Sequence, residues 1–175
     1  GLDQYNIKSS VDLSLNNFVA GSFFIPELAD MDKDGDFDLL LSGIIPESDP
    51  DTPIDQLPIF MYAKNVGTVT QPSFLGWYQN PYGLATSIDQ PQMSVVGDID
   101  NDNDNDILSV TTLDTFTVFK FLPNIPQSDG RPWFQPAVVS PFGLPAANQS
   151  EIILLPTLVD IDADGDLDLF FVQEL

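Results

Sequence analysis

Three nine-residue windows of this chain place Asp at every odd position: DMDKDGDFD (Asp30 to Asp38), DIDNDNDND (Asp98 to Asp106) and DIDADGDLD (Asp160 to Asp168). No other feature restricts folding as sharply. Carboxylates crowded within about 4 Å repel by about 1 kcal/mol per pair in water, and by about 4 kcal/mol at an effective dielectric of 20. A tight turn with five of them needs a cation at its centre. Position six is Gly35, Asn103 or Gly165, residue types that tolerate a left-handed backbone. All three windows therefore call for the same sharp turn.

Alternating Asp on such a turn suits Ca²⁺, which takes six to eight oxygen ligands. Positions one, three, five and nine are expected to supply side chains, and position seven its carbonyl, with its own side chain pointing outward. This predicts Asp30, Asp32, Asp34 and Asp38 with the Asp36 carbonyl in the first loop. The second uses Asp98, Asp100, Asp102 and Asp106 with the Asp104 carbonyl. The third uses Asp160, Asp162, Asp164 and Asp168 with the Asp166 carbonyl. About three calcium ions are expected. Mg²⁺ is the rival, though it prefers fewer protein ligands and more water. Nitrogen- and sulfur-seeking metals find only oxygen here. An EF-hand would need Glu at position twelve between two helices; that position is Leu41, Ser109 or Phe171.

The flanks repeat as well. FFIPELA, PQMSVVG and ILLPTLV precede the loops; LLLSG, ILSV and LFFV follow them. These runs are too short for helices and read as buried strands. The loops start 68 and then 62 residues apart, a period that marks a repeat architecture. Further runs, Ile59 to Ala63, Ser73 to Tyr78, Phe116 to Leu122 and Trp133 to Val139, are expected to be strands, separated by turns at Asn65 to Gly67, Asn80-Pro81, Asn124 to Pro126 and Ser128 to Gly130. Four strands per period make a propeller blade or two stacked hairpins. The expected fold is all-β, with four-stranded antiparallel, propeller-like repeats and about two and a half blades in this chain. Residues 1–22 would be a strand of a preceding blade or a closing segment. Residues 23–90 and 91–150 would form two repeats, and 151–175 the first hairpin of a third.

Composition narrows the partners. Acidic residues number 27 and basic ones 5, for a net charge of −22, but the three windows alone hold 15 of the acids. Lys8, Lys33, Lys64, Lys120 and Arg131 are scattered, so no basic patch exists for nucleic acid or an anionic membrane. No apolar run is long enough to span a bilayer. Without His or Cys, the commonest general base and the thiol nucleophile are missing.

The stretches PELADMDKDGDFDLLLSG and PTLVDIDADGDLDLFFV, with YAKNVGTVTQPSF from Tyr62 to Phe74, resemble the FG-GAP/VCBS repeat of integrin-α-like propellers and bacterial surface proteins. The resemblance implies that each calcium loop joins the first two strands of a blade. The second repeat departs at Asn103, which can take the turn, and at Asn105, where an apolar residue is usual; looser strand packing is expected there.

The expected function is a calcium-binding extracellular structural or cell-adhesion module. It would be secreted or at the cell surface, and non-enzymatic, with calcium stiffening the blade hairpins. Its partner would be a protein, a glycan or copies of itself. Two alternatives are a self-assembling filament or surface-layer subunit and a part of a polysaccharide-degrading enzyme; in the latter, Trp77, Tyr78, Tyr82 and Trp133 could stack on sugar rather than fill gaps between blades. Asn148-Gln149-Ser150 matches a glycosylation acceptor.

Overall fold

The structure, a computed structural model, describes residues 23–44, 59–84, 91–113, 116–148 and 152–174. The segment 1–22, expected to belong to a preceding blade, lies outside them, as do Gln149 and Ser150 of the glycosylation match. Asn148 ends a short strand.

The described chain is all-β. β1 (Phe23–Ala29), β2 (Asp38–Ile44), β3 (Ile59–Ala63) and β4 (Tyr78–Gln79) form a first antiparallel sheet in sequence order. β5 (Pro91–Gly97), β6 (Asp106–Leu113), β7 (Phe116–Leu122) and β8 (Val138–Val139) form a second, to which β9 (Ala147–Asn148) adds on β7. β10 (Ile152–Val159) and β11 (Asp168–Glu174) pair as a third. Prolines fall where a ladder tolerates them. Pro26 sits on the edge strand β1, and the pairing register shifts beside Pro91 and around Pro156.

The sheets stack in a row, and no closed ring forms among the described residues. Alternation along the strands explains the stacking, because successive side chains face opposite ways. In the second sheet, Val96, Ile107 and Leu122 join Ala29, Met31, Leu40, Phe60 and Tyr62 of the first repeat in one core. On the other face, Val95, Leu108, Val110, Phe119 and Phe121 form a second core, against which Leu158, Leu169 and Phe171 of the third sheet pack. The Phe119 and Phe171 rings meet edge to face, 5.1 Å between centroids. Burial on both faces is why these strands read as continuous apolar runs; each large side chain buried contributes about 1.5–3 kcal/mol.

Gly83 and Gly97 permit close approach between neighbouring repeats. At Gly83 a Cβ would lie 2.4 Å from the Phe134 carbonyl oxygen, where the Phe134 amide donates to the Tyr82 carbonyl (2.8 Å). At Gly97 a Cβ would lie 2.6 Å from Leu167 Cδ1, so its absence lets the third loop close down on the second sheet.

Two expected strands are mostly irregular. In Ser73 to Tyr78 only Tyr78 enters a strand, and in Trp133 to Val139 only Val138 and Val139 do. Pro136 has no N–H to donate, and isolated bridges at Asn65–Phe74 and Asn124–Phe134 replace the ladder. Each segment ends in a turn of the same pattern, Asn80-Pro81-Tyr82-Gly83-Leu84 and Ser140-Pro141-Phe142-Gly143-Leu144. Its first, third and fourth residues have positive φ. Tyr82 packs edge-on to Tyr62, and Phe142 to Phe121.

Candidate metal centres

Each Asp window joins the first two strands of its sheet and folds into the same non-regular loop. Positive φ occurs at position six, Gly35 (95°), Asn103 (68°) and Gly165 (100°), as the residue types demand. It also occurs at position four, Lys33 (61°), Asn101 (64°) and Ala163 (61°), where only Asn101 is of a type that favours it. Two left-handed residues wind the loop tightly enough to turn alternate carboxylates inward.

In each loop three carboxylates bring oxygens within 4.8 Å of one another: Asp30, Asp32 and Asp34; Asp98, Asp100 and Asp106; Asp160, Asp162 and Asp168. Position one also shapes the turn. Asp30 accepts from the amides of Asp34 (3.1 Å) and Gly35 (3.0 Å), and Asp98 from those of Asp102 (3.0 Å) and Asn103 (2.9 Å). Asp160 accepts from Gly165 (3.1 Å). Position five accepts from the amide two residues on: Asp34 from Asp36, Asp102 from Asp104 and Asp164 from Asp166.

Position nine is the most buried of the set in the first two loops, where Asp38 and Asp106 are fully enclosed. Asp38 accepts from the amides of Met31 (3.3 Å) and Asn65 (2.8 Å) and from the Tyr62 hydroxyl (2.9 Å). Asp106 accepts from the amides of Ile99 (3.1 Å) and Asn124 (2.8 Å). Asp168 accepts from Ile161 (3.1 Å). Burial pushes the Asp38 and Asp106 carboxyls up to about 6, against the pull of these hydrogen bonds. Asp38 and Asp106 thus anchor the strand ends as well as facing the loop.

The anchors' partners are buried asparagines. Asn65 donates from its side chain to the Phe37 carbonyl and accepts from the amides of Gly67 and Ser73; Asn124 donates to the Asn105 carbonyl and accepts from Trp133. In the sequence both residues signal only turns. The signal that could have found them is position: each stands two residues past the third strand of its repeat, after Ala63 and after Leu122.

Position seven does not simply point outward. Asp104 pairs with Lys33 of the first loop (2.6 Å), and Asp166 accepts from Asn101 of the second. Position four of one loop thus reaches position seven of the next. Asn105, expected to loosen packing, instead donates to the Asp30 carbonyl (2.7 Å) and ties the first two loops together.

One cation from the chain enters the first loop. The Lys64 ammonium bonds Asp32 and lies 3.2 Å from Asp34. Burial opposes its charge, but the hydrogen bonds to Asp32 and Asp34 outweigh it and raise the Lys64 pKa. Burial likewise favours a neutral Asp34, and Lys64 reverses this and lowers its pKa. Pro123 holds the matching place in the second repeat. There burial, then the charge of Asp102, pushes Asp100 up. Even with Lys64 present, Asp32 Oδ1 and Asp36 Oδ1 are buried with no hydrogen-bond partner among the described residues. Buried carboxylate oxygens without a donor are costly. An all-oxygen set of this kind fits a hard cation such as Ca²⁺ or Mg²⁺.

The flanks are strands in all three cases, which excludes an EF-hand. Of the noted aromatics, Tyr82 packs on the first core, while Tyr78 and Trp133 are about half exposed. Among the described residues no helix is long and apolar enough to cross a membrane. No protein-family model, curated protein or solved structure matches this chain.

Proposed function

We propose that this chain is a calcium-binding extracellular structural module of the FG-GAP/VCBS type, its three sheets serving as blades. Each cation would neutralise one loop and lock its first two strands together. The observation that carries this reading is the threefold recurrence of a carboxylate cage, on positions one, three and five in the first loop and on positions one, three and nine in the other two. In every loop three carboxylates converge, and in the first a buried oxygen of Asp32 still lacks a donor. In the first two repeats the position-nine Asp also holds the end of the third strand through an Asn. Organising the loop therefore organises the sheet. Calcium would neutralise the carboxylates and hold them at one centre, while the chain's own hydrogen bonds set the turn.

Extracellular calcium modules commonly bind in the range of about 10⁻⁴–10⁻³ M, far above cytosolic calcium. That range supports a secreted or surface location. Exposed loops on a stiff scaffold suit contact with a protein or glycan.

Calorimetric titration of chelator-stripped protein with Ca²⁺, beside the same titration with Mg²⁺, tests the assignment. The expected result is about three equivalents of Ca²⁺ bound, with Mg²⁺ weaker. Protein that takes up no calcium at millimolar concentration would refute it.

A further inference from the structure

The three loops share one Asp frame, yet their carboxylates converge in two different ways. In the second and third loops the position-nine residue, Asp106 or Asp168, brings an oxygen into the cage beside positions one and three. In the first loop Asp38 does not; Asp34 at position five stands beside Asp30 and Asp32 instead. The backbone is not the cause, because positions four and six have positive φ in all three loops. The difference comes from side chains that reach the first loop from outside it.

Tyr62 on β3 and Lys64 just past it are those side chains. Each carboxylate oxygen has about two lone pairs with which to accept. Asp38 Oδ2 accepts from the Met31 amide (3.3 Å) and from the Tyr62 hydroxyl (2.9 Å), while Oδ1 accepts from the Asn65 amide. Both lone pairs of Oδ2 are thereby engaged. Among the described residues, Asp106 Oδ2 accepts only from Ile99 and Asp168 Oδ2 only from Ile161, so each keeps a lone pair for a cation. Sheet register explains the contrast. Tyr62 lies opposite Leu40, two residues past Asp38; Phe121 lies opposite Leu108, two residues past Asp106, and carries no hydroxyl. Tyr62 is 2% exposed and held edge-on by the Tyr82 ring, 5.3 Å between centroids, which keeps its hydroxyl on Asp38. Lys64 bonds both Asp32 and Asp34, which accounts for position five entering the cage. The cage still calls for a further cation: the Asp32 side chain is 10% exposed, and its Oδ1 has no donor.

We infer that Tyr62 sets the affinity of the first cation site: by holding Asp38 it withholds one carboxylate from the metal and makes this site weaker than the second. This role rests on the calcium reading proposed above and deepens it. Affinity in such loops follows the number and charge of the oxygens supplied. The second loop offers its position-nine carboxylate to the ion, whereas the first spends it on a hydroxyl and two backbone amides. Tyr62 is thus a positioning residue, acting on the ion through Asp38. Lys64 weakens the same site by a separate route, through Asp32 and Asp34, so the hydroxyl and the ammonium can be tested apart.

The test is a Ca²⁺ titration of the chelator-stripped full chain, followed by NMR of carboxyl-labelled aspartate. The Asp106 and Asp168 carboxyl carbons are expected to shift as their loops fill, while Asp38 moves little. Asp30 should report the first loop filling at higher Ca²⁺ than Asp98 reports for the second. In Tyr62→Phe, Asp38 should shift as Asp106 does, and the first loop should fill at a Ca²⁺ concentration lower by about tenfold, the scale on which groups behind the ligands move metal affinity. The sign is diagnostic, because losing a partner that supports a metal ligand weakens binding. Phe121→Tyr should have the opposite effect on Asp106 and the second loop. Far-UV circular dichroism checks that each variant folds, and the comparison of Asp38 with Asp106 in the wild type needs no variant. A wild-type Asp38 that shifts as strongly as Asp106 overturns the inference and leaves the calcium reading intact. So does a Y62F chain whose first loop fills no more tightly, the result expected of a hydroxyl with a merely structural role. A chain in which no aspartate shifts at millimolar Ca²⁺ removes the calcium reading, and the role of Tyr62 with it.

Discussion

The first and second loops share one Asp frame and differ in what neutralises it. Lys64 projects from the end of β3 into the first loop, while the second repeat has Pro123 at that place and no cation of its own bound in the cage among the described residues. Lys33 reaches the second loop only at its rim, through Asp104. The lesson is that identical ligand spacing does not give identical sites. The chain's own ammonium partly relieves the first loop and competes there with a metal. The second has no such substitute, and its fold depends more heavily on an external cation.

Chelation should expose this contrast with the largest effect. A ligand at 100 times its Kd stabilises by about 2.7 kcal/mol per site, so emptying three sites should lower Tm substantially. Hydrogen exchange in excess chelator should show the Asn103 and Gly165 amides losing protection before Gly35. Equal loss at all three would erase the distinction drawn from Lys64.

The asparagine anchors test what the two repeats have in common. Asn124→Ala leaves the Trp133 amide and the Asn105 carbonyl without partners, and Asn65→Ala does the same to Gly67, Ser73 and Phe37. Each should cost about 2–3 kcal/mol in urea unfolding with calcium saturating. A loss below about 0.5 kcal/mol in either would mean that the clasp contributes little.

Lys64→Met should sharpen the comparison. With chelator present it should destabilise by about 1 kcal/mol, the scale of a partly exposed ion pair. With calcium present it should tighten one of the three sites by several-fold in calorimetry. Unchanged binding would show that Lys64 leaves the cage without resistance when metal enters.

The smallest effect concerns pH. Burial first raises Asp38 and Asp106 to about 6 from an ordinary 3.8, so the folded metal-free state holds more protons than the unfolded chain between those values. Their contribution is fully present below about 3.8 and lost as pH rises through about 6. Metal-free protein should therefore gain stability in thermal melts as pH falls from 7 to 5. The calcium form should lose stability over the same range, because protons compete with the cation.

Much of this arrangement was legible in the sequence because it is local. Alternating Asp, a Gly or Asn at position six and short apolar flanks specify loop and hairpin without reference to distant residues. The Asn clasps, the ties from Lys33, Asn101 and Asn105, and the left-handed position four were not legible. The clasps and ties depend on neighbours far away in the chain, and at position four Lys33 and Ala163 carry no backbone preference that would betray their φ. The runs around Phe74 and Phe134 misled for a related reason. Their apolar content suggests strands, yet each pairs only through an isolated bridge, and Phe134 serves the core between the first two sheets.

The chain of contacts Lys33–Asp104, Asn105–Asp30 and Asn101–Asp166 has a thermodynamic corollary. Loops that share side chains cannot load independently: an ion that rigidifies the middle loop pre-orders a ligand-bearing segment on either flank. By reciprocity, each neighbour then favours occupancy of the middle one to the same degree. Uptake along the row should be cooperative, with a Hill slope above one. Mineral ions would then switch the scaffold between slack and taut over a narrow span of concentration instead of stiffening it sheet by sheet.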